Sequence, residues 1–143
     1  MTFLLDVNVL IALIDPAHVH HDAAHEWFAI QGRQNWATCP MTQNGVLRIV
    51  GNSSYPNSPG TPAAVAPLLA GLIALPGHVF WPGDISLLDS GKLDPARLLT
   101  SGQVADSYLL SLAVAHGGQL ATFDRRIVPD AVHHGARCLH PIH

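Results

Sequence analysis

Phe3-Leu4-Leu5-Asp6-Val7-Asn8-Val9-Leu10-Ile11-Ala12-Leu13-Ile14 opens the chain with a short apolar run closed by an acid, then a second apolar run that Asp15-Pro16 stops. The pattern predicts a buried strand that hands over at Asp6 to a buried helix. That junction sets the fold class, because a strand followed directly by a helix is the start of a βαβ unit.

The same alternation continues along the chain. His20 to Ile30 carries Ala23, Ala24, Trp27, Phe28 and Ile30 at helical spacing, and Gly32 ends the run as a C-cap would. Asn35 to Cys39 predicts a second strand that Pro40 terminates. Thr42-Gln43-Asn44 offers capping groups to a helix holding Val46, Leu47, Ile49 and Val50. Gly51 to Pro62 is built of Gly, Asn, Ser and Pro and predicts a loop. Thr61 to Leu75 is apolar all round, which predicts a helix buried against the sheet or against another subunit. His78 to Trp81 is a third strand. Thr100-x-x-Gln103 fits a capping box opening a helix through Val104, Leu109, Leu112, Ala113 and Ala115, ended by Gly117-Gly118. Gln119 to Phe123 is a fourth strand closing on Asp124, and Ala136 to Leu139 a fifth. Strands alternating with helices imply a single α/β domain over residues 1–143: a mostly parallel sheet covered by helices on both faces.

Composition narrows the function classes. The chain has 143 residues, 48% hydrophobic and 12% charged, which excludes a disordered polyelectrolyte. The longest apolar stretch, Ala63 to Leu75, is broken by Pro67 and Gly71 and falls short of the roughly 20 residues that span a bilayer. Asp6 stands where a signal peptide would be apolar, so a cytoplasmic protein with no membrane partner is expected. Cys39 and Cys138 match no metal-ligand spacing and are expected to be free thiols. Seven basic against ten acidic residues give a net charge of −3, which argues against a positive coat for generic nucleic-acid binding.

In open parallel sheets, sites form beyond the carboxyl ends of the strands. That rule selects Asp6 after the first strand, Gln43 just past the second, Asp124 after the fourth, and Asp106 near the start of the preceding helix. Singly, Asp6 and Asp124 read equally well as helix-cap or Asx-turn residues, and Asp106 as a complement to a helix dipole. Jointly, three carboxylates at one edge repel one another unless a cation neutralises them, which points to a hard, oxygen-coordinated metal such as Mg²⁺ or Mn²⁺. Such an ion suits phosphodiester hydrolysis. Without the three acids, seven acidic and seven basic side chains remain, and Arg48, Arg125 and Arg126 are candidates to hold a polyanion.

Leu4 to Leu13, Thr42 to Arg48 (Thr-Gln-Asn-Gly-Val-Leu-Arg), Val104 to Ala113 (Val-Ala-Asp-Ser-Tyr-Leu-Leu-Ser-Leu-Ala) and Leu120 to Arg125 (Leu-Ala-Thr-Phe-Asp-Arg) resemble the successive motifs of PIN-domain ribonucleases. Among these, VapC-type toxins of bacterial toxin–antitoxin modules are the nearest in pattern. The resemblance implies a three-layer α/β/α sandwich and a Mg²⁺- or Mn²⁺-dependent endoribonuclease. It makes Asp6, Asp106 and Asp124 metal-binding catalytic acids, with Asn8 and Thr122 in support through hydrogen bonds. It also implies an RNA substrate such as transfer RNA, a cognate antitoxin that occupies the acidic cleft with a basic segment, and a homodimer. Strands bearing Cys39 and Cys138 would then lie on opposite sides of the first, so no disulfide is expected between them.

One position departs from the pattern. Gln43 stands where the family has a glutamate, so the site holds three formal charges rather than four and is expected to bind metal more weakly. Asp22 and Glu26 are alternative carboxylates, though a solvated helix face suits them better. The departure keeps open a second reading, a PIN fold that binds RNA or an antitoxin without cutting.

Other readings fit less well. A haloacid-dehalogenase-type phosphatase needs an acid where Asn8 stands, the lone Lys92 does not serve a receiver domain, and no G-x-G-x-x-G follows a strand. Ten histidines include His18, His20, His21 and His25 in one segment, with His21 and His25 at i, i+4. They form an incomplete zinc pattern without a third ligand and are expected to be packed or exposed; His140 and His143 read as a tail.

Overall fold

The computed structural model describes residues 1–143, and five short strands carry the fold: β1 (Phe3–Leu5), β2 (Trp36–Thr38), β3 (His78–Phe80), β4 (Gln119–Thr122) and β5 (Leu139–Pro141). All neighbours are parallel and the order is β3-β2-β1-β4-β5. The first strand is therefore central, with Phe3 opposite Trp36 on one side and Leu5 opposite Ala121 on the other.

Side-chain alternation builds the layers. Leu5, Trp36 and Ala121 point into one core with α1 (Val7–Ile14), α2 (His21–Trp27), α3 (Pro40–Val50) and α4 (Pro62–Ile73). Leu4, Ala37 and Leu120 point into the other, with α5 (Gln103–Ala115). A four-residue helix α6 (Gly135–Cys138) leads into β5. Strands buried on both faces need apolar runs, and Phe-Leu-Leu and the Trp-Ala pair closed by Thr38 supply them. The result is the expected three-layer α/β/α sandwich. No helix is long and apolar enough to cross a membrane.

Several local expectations shift. The helix read from His20 to Ile30 is α2 followed by a π-helical turn, Phe28–Gly32, where the Trp27 ring lies so close to Gly32 that a Cβ there would meet it at 2.6 Å. Helix α4 is not buried all round: only Val65 and Leu69 are, and Leu68 is 49% exposed, because the helix lies on α3 and not on the sheet. The capping box at Thr100 does not form. Helix α5 begins at Gln103, whose side chain turns back to accept from the Leu99 amide and donate to the Arg97 carbonyl. At the other end, Gly117 takes φ +68° and the Gly118 and Gly117 amides close onto Ala113 and Val114, a Schellman end. The fifth strand starts three residues later than Ala136. His140 is not in a tail: it lies in β5, half-buried, and accepts from Trp27 Nε1 at 3.0 Å. Cys39 and Cys138 are free and lie towards opposite sides of β1.

The last turn of α1 draws in two distant segments. Ala12 and Leu13 carbonyls have no partner within the helix, and His21 Nδ1 and His25 Nε2 donate to them at 2.7 and 2.8 Å. This is what the i, i+4 histidines do, and no three-residue metal cluster includes them. Replacing both with alanine is expected to lower stability by about 1–2 kcal/mol, read by urea unfolding, while Zn²⁺ leaves the wild-type melting temperature unchanged. The Gly51 to Pro62 loop is equally tied down. Asp15, which caps α1, accepts from Tyr55 Oη and from Asn57 Nδ2, and Ser58 Oγ donates to the Val50 carbonyl. Burial alone would raise the Asp15 carboxyl, but these hydrogen bonds and the Ala17 amide outweigh it and hold the group below its ordinary range.

Candidate active site

Three neighbouring strands, β2, β1 and β4, end side by side at Thr38, Leu5 and Thr122. Asp6 follows β1 in extended backbone (φ −61°, ψ 157°) and caps α1, its Oδ1 accepting from the Val7 amide at 2.7 Å. Its Oδ2 accepts from Thr122 Oγ1 at 2.8 Å, and Asn8 Nδ2 lies 3.4 Å away. Asp6 is thus a helix cap whose second oxygen is held by Thr122 at the end of β4.

Thr122 is fully buried and its hydroxyl is saturated. It donates to Asp6 and accepts from Asn8 Nδ2 at 3.2 Å and from the Asp124 amide at 3.0 Å. Asn8 completes the knot by accepting from the Phe123 amide at 3.1 Å. One hydroxyl and one amide therefore tie the start of α1 to the turn after β4. Asp124 Oδ1 accepts from the Arg126 amide at 2.8 Å, an Asx turn, with the Arg126 guanidinium 3.6 Å away.

Asp106 enters from α5, in its first turn. Burial, then the charges of Asp6 and Asp124, push its carboxyl up to about 6. Asp6 is also raised, by burial first and by Asp124 in a smaller way, against hydrogen bonds from Thr122 and Val7 that favour its ionised form. The three acids accordingly feel one another. They do not close to metal-ligand distance as a group of three, an arrangement that repulsion between like charges favours. An all-carboxylate donor set gathered at mutual cost is chemically matched to a hard divalent cation.

Gln43 sits in the fourth position of α3, where its Nε2 donates to Thr38 Oγ1 at 3.0 Å, and Thr38 pairs with His78 Nε2 at 2.7 Å. It stands at the end of the strand beside Asp6, but its recorded hydrogen bond goes to Thr38 and not to an acid. Arg48 is in the last turn of α3, about 7–8 Å further along the axis than Gln43, and not at the strand ends. Arg125 and Arg126 are exposed on the turn after β4, Arg125 facing His143. Asp22 and Glu26 are exposed on α2. Sequence reasoning missed Arg97, which joins Asp106 and Arg126 in lining one cavity. Its segment has no periodicity, so nothing local announces the contact.

Comparison with known proteins agrees with this architecture. The PIN domain model matches residues 3–129. The chain is 46% identical over 132 residues to Ribonuclease VapC44 of Mycobacterium tuberculosis, spanning 92% of each, and 44% identical over 131 residues to Ribonuclease VapC39 of the same organism, spanning 92% and 94%. A crystal structure of VapBC2 from Rickettsia felis bound to a DNA fragment from its promoter superposes with a TM-score of 0.60 at 15% identity, covering 99% of this chain and 98% of that one. The strand order, the acids at the ends of β1 and β4, and this likeness over nearly the whole length place the chain in the PIN-domain family, on its VapC branch.

Proposed function

We propose that the chain is an endoribonuclease toxin that hydrolyses RNA phosphodiester bonds at the edge where Asp6, Asp106 and Asp124 meet. The observation that carries this reading is the placement of Asp6 and Asp124 just past the ends of neighbouring strands β1 and β4, with Asp106 near enough that burial first, and then those two acids, push its carboxyl up to about 6. A fold tolerates such gathered charge where function uses it. Asp6, Asp106 and Asp124 would hold Mg²⁺ or Mn²⁺. When bound, the ion supplies Lewis acidity and a bound water of lowered pKa.

The protein's own groups do the positioning. Thr122 and Asn8 fix the Asp6 carboxylate and the turn bearing Asp124. Arg125 and Arg126, exposed on that turn, meet the phosphates of the incoming strand. Gln43 borders the site as a neutral amide anchored on Thr38. One PIN-like domain over residues 1–143 acts in the cytoplasm on RNA, transfer RNA among the targets. A cognate antitoxin lays a basic segment along the acidic edge, and a homodimer uses exposed apolar residues such as Leu68 and Leu75 of the α4 region.

The test is incubation of purified protein with total cellular RNA in Mg²⁺, Mn²⁺ or EDTA, beside Asp6→Ala prepared identically. Cutting that needs metal and is lost in the variant bears the reading out. No cutting by either protein under any metal rejects it and leaves a binding module. That second reading has its own observation, the uncharged Gln43. Gln43→Glu is expected to lower the Mn²⁺ concentration for half-maximal cleavage about fivefold or more. An unchanged metal requirement would show that the amide costs the site nothing.

A further inference from the structure

Beside Asp106 lies a cavity of about 360 Å³ whose lining includes Arg97, Leu99, Gly102, Arg126 and Val128. Its two walls come from separate segments, joined where the Asp94 amide donates to the Ala131 carbonyl at 2.8 Å and Leu93 bridges Val132. The wall bearing Arg97 and Leu99 is braced further by Gln103, which accepts from the Leu99 amide at 3.0 Å and donates to the Arg97 carbonyl at 2.9 Å. The cavity is therefore preformed. Leu99 is 81% exposed and Val128 44%, so apolar side chains face solvent within a charged rim. Both arginines are paired with acids through Nε at 3.6 Å, Arg97 with Asp94 and Arg126 with Asp124. Asp130 on the rim is exposed and takes no part in these pairs.

We infer that this cavity is a nucleotide subsite for single-stranded RNA, holding the residue next to the scissile phosphate. The inference rests on the ribonuclease reading and adds the substrate contact to it. A nucleotide presents an apolar, planar base and a phosphate, and the cavity offers the matching pair: Leu99 and Val128 for the base, Arg97 and Arg126 for the phosphates flanking it. Arg97 and Arg126 supply the anion contacts at the rim, where Asp106 and Asp130 carry the opposite charge. Asp106, shared between cavity and acid cluster, fixes the distance between the held nucleotide and the bond that is cut. Arg97 is the new binding residue, and Gln103 is a positioning residue that acts through the wall it braces.

The experiment uses the whole protein and a short fluorescein-labelled single-stranded RNA, with binding read by anisotropy in EDTA and cleavage read in Mn²⁺. Gly102 suits a blocking substitution, because its backbone is helical (φ −66°, ψ −20°) and a Cβ there meets nothing within 4 Å. Gly102→Phe and Arg97→Ala are each expected to weaken RNA binding about tenfold. KM rises by a similar factor, kcat stays within about twofold, and the melting temperature does not move. Unchanged RNA affinity in both variants, or no RNA binding by the wild type, overturns the subsite. Variants that lose affinity for an arginine-rich peptide and keep it for RNA overturn it in favour of a protein occupant. Absence of cleavage by the wild type would reject the ribonuclease reading alone, since the binding arm still reports on the cavity.

Discussion

Asp106→Asn is expected to abolish RNA cleavage and, in the same protein, to make the metal-free fold more stable at neutral pH. On the proposed reading, the activity loss follows from removing one of the three carboxylates that would hold the metal, a change worth about 10³-fold or more in kcat/KM. The stability gain follows from the folded-state pKa. Asp106 ionises near pH 6 in the fold and at 3.8 as an ordinary aspartate, so the folded chain holds its proton over a window in which the unfolded chain has lost it. A raised carboxyl therefore costs stability progressively from about pH 4 to about pH 6, and the cost persists above that. Because the group is partly exposed, solvent screening reduces the cost to about 1 kcal/mol. Thermal melts in EDTA should show the asparagine variant several degrees more stable at pH 7.5 and equal to wild type at pH 3.5. A variant without activity and without that pH-dependent gain would show that the carboxylates do not strain the fold.

Gly118→Ala is expected to be among the most damaging single-methyl changes in the chain. Gly118 ends the Schellman turn of α5 and leads into β4, where an added Cβ would come within 2.3 Å of the Thr2 carbonyl oxygen and 3.0 Å of the Trp81 ring. The Thr2 carbonyl is not free to move aside, since it accepts from the Gln119 amide at 3.0 Å at the head of the β1–β4 ladder. Relieving the overlap displaces the central strand pair, and about 3 kcal/mol of stability is expected to go with it, a fall in melting temperature of about 10 °C. Gly102→Ala, which meets nothing, is the control.

Much of this was legible in the residues alone. Strands β1, β2 and β4 are apolar runs closed by polar residues, and the edge rule then selected Asp6, Asp106 and Asp124. The cap and Asx-turn readings of Asp6 and Asp124 did not compete with the functional one: both residues satisfy a local amide with one oxygen, which holds the carboxylate at the strand end. What stayed hidden depends on docking between distant segments. Gln103 has the spacing of a capping box, but its side chain is taken by the wall at Arg97 and Leu99. His21 and His25 have the spacing of metal ligands, yet their partners are two carbonyls on the preceding helix. Helix α4 has a core composition, and only its place on α3, outside the sheet, leaves that surface uncovered.

The central position of β1 has a consequence for synthesis. The N-terminal strand pairs on one side with β4, and Asp6 receives its hydrogen bond from Thr122, 116 residues downstream. A ribosome delivers the chain from its N-terminus, so Asp6 emerges early and waits. Until Thr122 and Asp124 leave the exit tunnel, the acids have no common edge. A domain of this design therefore gathers these carboxylates at one edge only after the segment holding Thr122 and Asp124 has been made, late in the synthesis of the domain.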